Sequence, residues 1–203
     1  MQGYTTREEW LQAALVMQFE TVFADAGISP AAWQQRRYRV TCGFPIGYRG
    51  SRTGKAVVLG QAFDASVSAD GTMEVCINPI IDEPVEVLRI LAHEFIHVWA
   101  GIECGHRGEF ARIAKAIGFT GPMTQTPATP ALLAKLTEIA DVLGNYPHAK
   151  IDPSLRKKQG TRGLKMSCSE CGFTSRLSAK WGDRINEDSP CSVCHSIGTL
   201  SVG

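Results

Sequence analysis

No stretch of this sequence approaches the roughly 20 consecutive apolar residues that a membrane-spanning helix needs. Its apolar runs are a few residues long, as in Ala13-Ala14-Leu15-Val16-Met17, and no membrane partner is expected. No secretory leader is expected: MQGYTTREEW carries Glu8 and Glu9 where a signal peptide has its apolar segment. Charge of one sign is not in excess, since 21 Lys and Arg face 20 Asp and Glu. No overall field therefore attracts a polyanion, and net charge assigns no partner. There is no low-complexity tract, and no internal repeat beyond two Cys-x-x-Cys pairs. An even cysteine count is missing too. Of seven cysteines, four form those pairs near the C-terminus, and Cys42, Cys76 and Cys104 stand singly. A secreted disulfide framework would use an even number spread more evenly, so a reducing compartment, by default the cytoplasm, is expected.

What is present suits a globular chain able to bury a core: 203 residues, 44% apolar and 20% charged, enough for one ordinary domain and a small satellite. The charges divide unevenly. Residues 1–149 hold 12 basic and 15 acidic side chains, a net of −3, and residues 150–203 hold 9 and 5, a net of +4. The switch falls at KIDPSLRKKQGTRGLK, polar, rich in base and interrupted by Pro153, Gly160 and Gly163. This composition reads as a linker, giving a first domain over 1–149, a basic linker over 150–165 and a second domain over 166–203.

Thr6-Arg7-Glu8-Glu9 is a capping box, and the apolar spacing from Trp10 to Val22 predicts a helix from about 7 to 25, ended by Gly27 and Pro30. Between about 38 and 79, the runs Tyr38–Cys42, Ala56–Leu59 and Met73–Ile77 predict three or four strands, with Asp70-Gly71 as a hairpin turn. Pro84 marks the first turn of a helix reaching Gly101. Further helices are predicted at about 107–117, closed by Gly118, and 130–143, closed by Gly144.

The helix that opens at Pro84 contains His93-Glu94-Phe95-Ile96-His97. Residues four apart share a helix face, so both imidazoles can grip one Zn²⁺ at about 2.0–2.1 Å. Glu94, about 100° around the helix from His93, can reach a water activated by the metal without being a ligand, and can act as general base. Val85, Leu88, Ala92, Phe95 and Trp99 provide a packing stripe that does not need the histidines. The third ligand is less direct. The HExxHxxGxxH pattern fails, because Ala100 and Glu103 occupy its glycine and ligand positions. His106 is the best candidate: glycines before it let the chain turn back, and it sits where the next helix starts. Glu103 and Glu109 are the alternatives. Around this centre, the Met73–Ile77 strand is expected to offer an edge to an extended peptide. Tyr146 and His148 are within reach of a role as oxyanion donors, although a packed Tyr at a capped helix end is the simpler reading.

Cys168, Cys171, Cys191 and Cys194 are spaced C-x₂-C-x₁₉-C-x₂-C. Four thiolates close a tetrahedral shell, so this second zinc is expected to be structural. A 38-residue ribbon has little core, and metal binding, worth about 10–16 kcal/mol, is expected to fold it. Gly172 allows the left-handed turn after the first pair, and His195 replaces the glycine common after the second. Phe173, Arg176, Lys180, Trp181 and Arg184 mix aromatics with base beside Arg156-Lys157-Lys158, a composition suited to stacking and phosphate contact with single-stranded nucleic acid. The alternative is that Phe173 and Trp181 pack the ribbon core.

The His93–His97 motif, followed by Gly105-His106-Arg107-Gly108-Glu109-Phe110, resembles the SprT-like (Spartan-related) zinc metallopeptidases, above all their compact bacterial and phage forms with a C-terminal zinc ribbon. The resemblance covers most of the chain, with a shorter spacer between His97 and His106 than Spartan-type members carry. It implies an α+β, zincin-like minimal metallopeptidase domain: an N-terminal helix, a small sheet, the HExxH helix and further helices, plus the ribbon. It implies zinc on His93, His97 and His106, Glu94 as general base, and DNA-dependent cleavage of proteins crosslinked to DNA. The expected reading is a monomeric, cytoplasmic zinc endopeptidase with one catalytic and one structural Zn²⁺, whose partners are DNA, single-stranded or crosslink-bearing, and a protein substrate. The rival is a DNA-binding or transcription-associated zinc protein that cuts nothing.

Overall fold

The computed structural model describes residues 3–29, 31, 35–46, 57–155 and 163–202. The chain forms two compact units, Met1–Ser154 and Leu155–Gly203, of mixed α and β structure, an α+β arrangement. Among the described residues no helix is long and apolar enough to cross a membrane.

In the first unit the order is α1 (Arg7–Thr21), β1 (Tyr38–Cys42), β2 (Gly60–Phe63), β3 (Met73–Ile77), α2 (Pro84–Ala100), α3 (Gly108–Ile117) and α4 (Pro130–Leu143). The Thr6/Glu9 capping box forms on both sides. α1 ends earlier than its periodicity predicts: Phe23–Ala26 tightens into a 3₁₀ turn that Gly27 closes with φ 75°. Pro30 lies outside the described residues.

The sheet order is β1-β3-β2, with β3 parallel to β1 and antiparallel to β2. Three sequence expectations change here. Residues 57–59 carry no strand, which instead occupies Gly60–Phe63 (Ala56 lies outside the described residues). Asp70-Gly71 does lie in a turn of the connection between antiparallel β2 and β3, with the Gly71 amide donating to the Ser68 carbonyl and φ 68°, but that connection is longer than a two-residue hairpin. The connection from β2 to β3 includes a 3₁₀ turn at Ala65–Val67, and Asp70 accepts from the Thr72 amide and pairs with Arg39. β3 offers no edge to a peptide, because both its sides are already paired. The edge strand beside α2 is β2.

α2 runs through the centre of this unit. Glu83 caps it by accepting from the amides of Val85 and Glu86, with Pro84 at its first position. The predicted stripe understates its burial: every residue from Val87 to Val98 except Arg89 is buried, whereas Val85 and Trp99 at its ends are only partly covered. One face carries Phe95, which meets Phe19 of α1 and Tyr38 of β1 edge-on at 4.9 Å each. Gln18, fully buried, donates to the Leu88 carbonyl at 2.7 Å and ties α1 to α2. After α4 the chain returns along this unit. The His148 ring hydrogen-bonds the Pro79 carbonyl at 2.8 Å through Nε2, the Ile151 amide donates to the same carbonyl, and the Lys150 amide donates to Asp82. Lys150 and Ile151 are thus held by the first unit rather than opening the linker.

The second unit contains β4 (Leu164–Cys168), β5 (Thr174–Leu177), the short α5 (Ala179–Gly182) and β6 (Leu200–Val202). Its sheet is antiparallel, in the order β5-β4-β6. Leu164 and Lys165 belong to this sheet, and the basic run Arg156-Lys157-Lys158 lies outside the described residues.

Candidate metal centre

α2 presents His93 and His97 one turn apart, both 8% exposed. Gly101 stops the helix, donating its amide to the His97 carbonyl, and a 3₁₀ turn over Ile102–Cys104 follows. Gly101 and Gly105 hold φ values of 91° and 52°, in the region that residues with a Cβ seldom enter. These two reversals fold the loop back and bring His106 over the helix. Its Nε2 lies 3.2 Å from Nε2 of His93 and 3.3 Å from Nε2 of His97. Three nitrogens on a tetrahedral zinc at about 2.05 Å would stand about 3.3–3.4 Å apart, so this donor set fits that ion.

Both alternative third ligands lie elsewhere. Glu109 is engaged by Arg112 at 2.7 and 2.8 Å, and Glu103 is an exposed loop residue outside the cluster. Burial favours neutral imidazole throughout. It lowers the pKa of His93 to about 3 and of His97 to about 4, with smaller contributions from the neighbouring rings, and it lowers that of His106. Neutral rings are the form that donates lone pairs to a metal.

Glu94 is 6% exposed, and burial pushes its carboxyl up to about 8, opposed by a hydrogen bond with the Ala62 backbone. It lines a cleft of about 630 Å³ together with the three histidines and residues 57–62. A Cβ at Gly60 would stand 2.6 Å from Ile90 Cγ2, 2.7 Å from Glu94 Cγ and 2.8 Å from Glu94 Oε1. The glycine is therefore what lets β2 lie against the carboxylate. Gly60→Ala is expected to destabilise the fold by about 1–3 kcal/mol through overpacking, measured by denaturant unfolding, with zinc content unchanged.

Phe110, fully buried in the first turn of α3, forms the floor of the centre, its ring centroid 5.1, 4.4 and 4.9 Å from those of His93, His97 and His106. Phe110→Ala is expected to cost about 3–5 kcal/mol and to loosen all three rings together, read as a lowered thermal midpoint and faster zinc loss to a chelator. Sequence reasoning gave Phe110 no role beyond its place in the motif, although its spacing of four from His106 was a usable signal. It also passed over Gly60 and Thr126. Tyr146 does not face this centre. It is 4% exposed and packs on Trp10 at 5.0 Å, with Trp10 Nε1 bonded to the Gly144 carbonyl.

In the ribbon, Cys168 and Cys194 Sγ are 3.8 Å apart, and Cys171 and Cys191 Sγ are 3.7 Å apart. A zinc with four sulfurs at about 2.3 Å has edges of about 3.8 Å. Within each of the two clusters the donor atoms lie within 4.8 Å of one another, and each group can hold a metal ion. The Thr199 hydroxyl lies 3.2 Å from Cys168 Sγ and, with backbone hydrogen bonds, lowers that thiol's pKa to about 6, toward the thiolate that metal binding requires. Gly172 and His195 both adopt left-handed backbone, φ 72° and 61°, and His195 is exposed. Trp181 does not pack the ribbon core. It is 52% exposed, with the Arg184 guanidinium 4.8 Å and the Lys180 ammonium 5.7 Å from its ring. Phe173 is half-buried.

Comparison with protein-family models, with curated proteins and with solved structures found no match to this chain.

Proposed function

We propose that this chain is a zinc-dependent endopeptidase of the SprT-like type, with a zincin-like first domain, that hydrolyses proteins bound or crosslinked to DNA. The observation that carries the reading is the convergence of three imidazole Nε2 atoms at zinc-ligand spacing beside a buried carboxylate in one cleft. Zinc bound there supplies Lewis-acid polarisation of a carbonyl and a lowered pKa for water. Glu94 takes a proton at its carboxylate and returns it to the leaving amine. The edge of β2 that is unpaired among the described residues pairs with an extended peptide, main chain to main chain, and lays it along the cleft.

The same buried carboxylate disfavours a zinc protein that cuts nothing. Among the described residues no cation forms an ion pair with Glu94, and a site whose only task is to hold zinc gains nothing from bearing its desolvation. DNA is assigned to the ribbon and the basic run before it. Exposed Trp181, flanked by Arg184 and Lys180, offers a face on which a base can stack, worth about 1–3 kcal/mol per base. The unpaired cysteines favour the cytoplasm, and one chain supplies every group the reaction requires.

The test compares one protein offered free, mixed with single-stranded DNA, and covalently attached to it. Cleavage is expected to be strongest for the attached protein, to stop with chelator, and to weaken as salt rises from 50 to 200 mM. Equal cleavage of free and attached protein, indifferent to salt, would reduce the reading to a general peptidase. No cleavage by protein carrying two zinc ions would favour the DNA-binding rival.

A further inference from the structure

We infer that Thr126 is a positioning residue for the three-histidine centre: its hydroxyl accepts a hydrogen bond from Nδ1–H of His93, fixing that ring with Nε2 toward His97 and His106. The inference rests on the metal-centre reading and adds to it the residue that orients a ligand from behind. Thr126 Oγ1 lies 2.8 Å from His93 Nδ1, and Thr126 is 1% exposed. An imidazole whose Nε2 donates its lone pair must carry its proton on Nδ1, and in a buried site that proton needs an acceptor. His97 differs: its Nδ1 is buried and has no hydrogen-bond partner among the described residues. Of the two buried imidazoles, only His93 is held from behind.

The loop around Thr126 is built at a conformational cost. Thr126 has φ 41°, and among the described residues it and His195 are the only non-glycines with positive φ. A β-branched residue there is strained, and such strain persists only where the surroundings impose it. Here Arg89 imposes it. Arg89 stands one turn before His93 on α2 and donates from one guanidinium nitrogen to the carbonyls of Gln125 and Thr126, at 3.1 Å each. Its other two nitrogens bind Glu86 at 2.8 and 2.6 Å. The Thr126 amide donates to the Pro122 carbonyl at 2.9 Å, and the loop is closed at its base by the Phe119–Ala128 bridge. α2 thus carries both the ligand and the cation that fixes the loop orienting that ligand. A loop needed only to connect α3 to α4 has no use for a buried hydroxyl in a disfavoured backbone region.

The experiment is chelator competition on the full chain, with the ribbon zinc as internal reference. Thr126→Val keeps shape and backbone preference and removes the acceptor. It is expected to weaken zinc at the histidine centre 10–100-fold, while Thr126→Ser restores affinity to within a few-fold. In the zinc-loaded protein the His93 Nδ1–H proton is expected as a slowly exchanging downfield resonance that Thr126→Val abolishes. Thr126→Gly separates orientation from loop shape, because it relieves the strain but lacks the hydroxyl. Weak zinc binding in Thr126→Gly supports the inference, and wild-type binding overturns it. If the Val variant does not fold, the Ser and Gly variants decide the matter between them. Zinc affinity of Thr126→Val within twofold of wild type overturns the inference while leaving the metal centre intact. A wild-type chain that takes up one zinc, unchanged by His93→Ala, instead removes the metal centre itself.

Discussion

Glu94→Gln is expected to lower peptide cleavage by about 10²–10⁴-fold while zinc content stays at two per chain. Glutamine keeps the length of the side chain and its contact with β2 but cannot take up a proton. The exchange puts a neutral side chain of the same length where burial already disfavours the charged form of the carboxyl, so the fold has no reason to fail: Glu94 is 6% exposed. His106→Ala provides the contrast. Its ring is the one ligand supplied by the loop rather than by α2, so its loss is expected to leave the ribbon zinc tightly held and the second zinc weakly held. Metal analysis beside a cleavage assay distinguishes the two variants. A Glu94→Gln protein that cleaves at the wild-type rate would remove the carboxylate from the chemistry.

The second large effect concerns the ribbon. Zinc removal, or Cys191→Ser, is expected to unfold residues 163–202, seen as loss of dispersed amide resonances and as rapid proteolysis there. The apolar burial available in this unit is small: Met166, Cys168 and Cys191 are its buried apolar residues among those described. So few side chains cannot offset the backbone entropy of ordering the strands at about 1–2 kcal/mol per residue. About 10–16 kcal/mol of metal binding can do so. Cys191 is fully buried and its sulfur faces Cys171 at 3.7 Å, so substitution by Ser removes a ligand and leaves a hydroxyl in a site shaped for a thiolate. A ribbon that stays folded without metal would mean that its three-stranded sheet suffices.

The largest structural gap between sequence and fold lies in the sheet. β-branched composition located β1 and β3 but misplaced the middle strand by several residues, because Gly60-Gln61-Ala62-Phe63 has almost no intrinsic strand preference. Pairing with β3 makes it a strand, and Glu94 and Ile90 packed against Gly60 account for the glycine. Strand order was equally hidden. Local pattern carries no information about which strand is central, and the sheet edge expected at β3 lies at β2 instead.

The chain's covalent order alone determined helices α1 to α4 of the first unit to within a few residues, the capping box at Thr6, the two His on one face of α2 and the four-cysteine spacing, because each depends on residues within a few positions of one another, where periodicity and local hydrogen bonding decide. Only the tertiary structure decided which residue completes the histidine set, since Glu103, His106 and Glu109 were all sterically open until two left-handed glycines turned the loop. It also decided that Phe110 lies under the rings, that Gly60 admits the carboxylate and that Thr126 meets His93 across 33 positions of sequence. Those contacts are set by packing between distant segments, for which a single chain read in order carries no local signature.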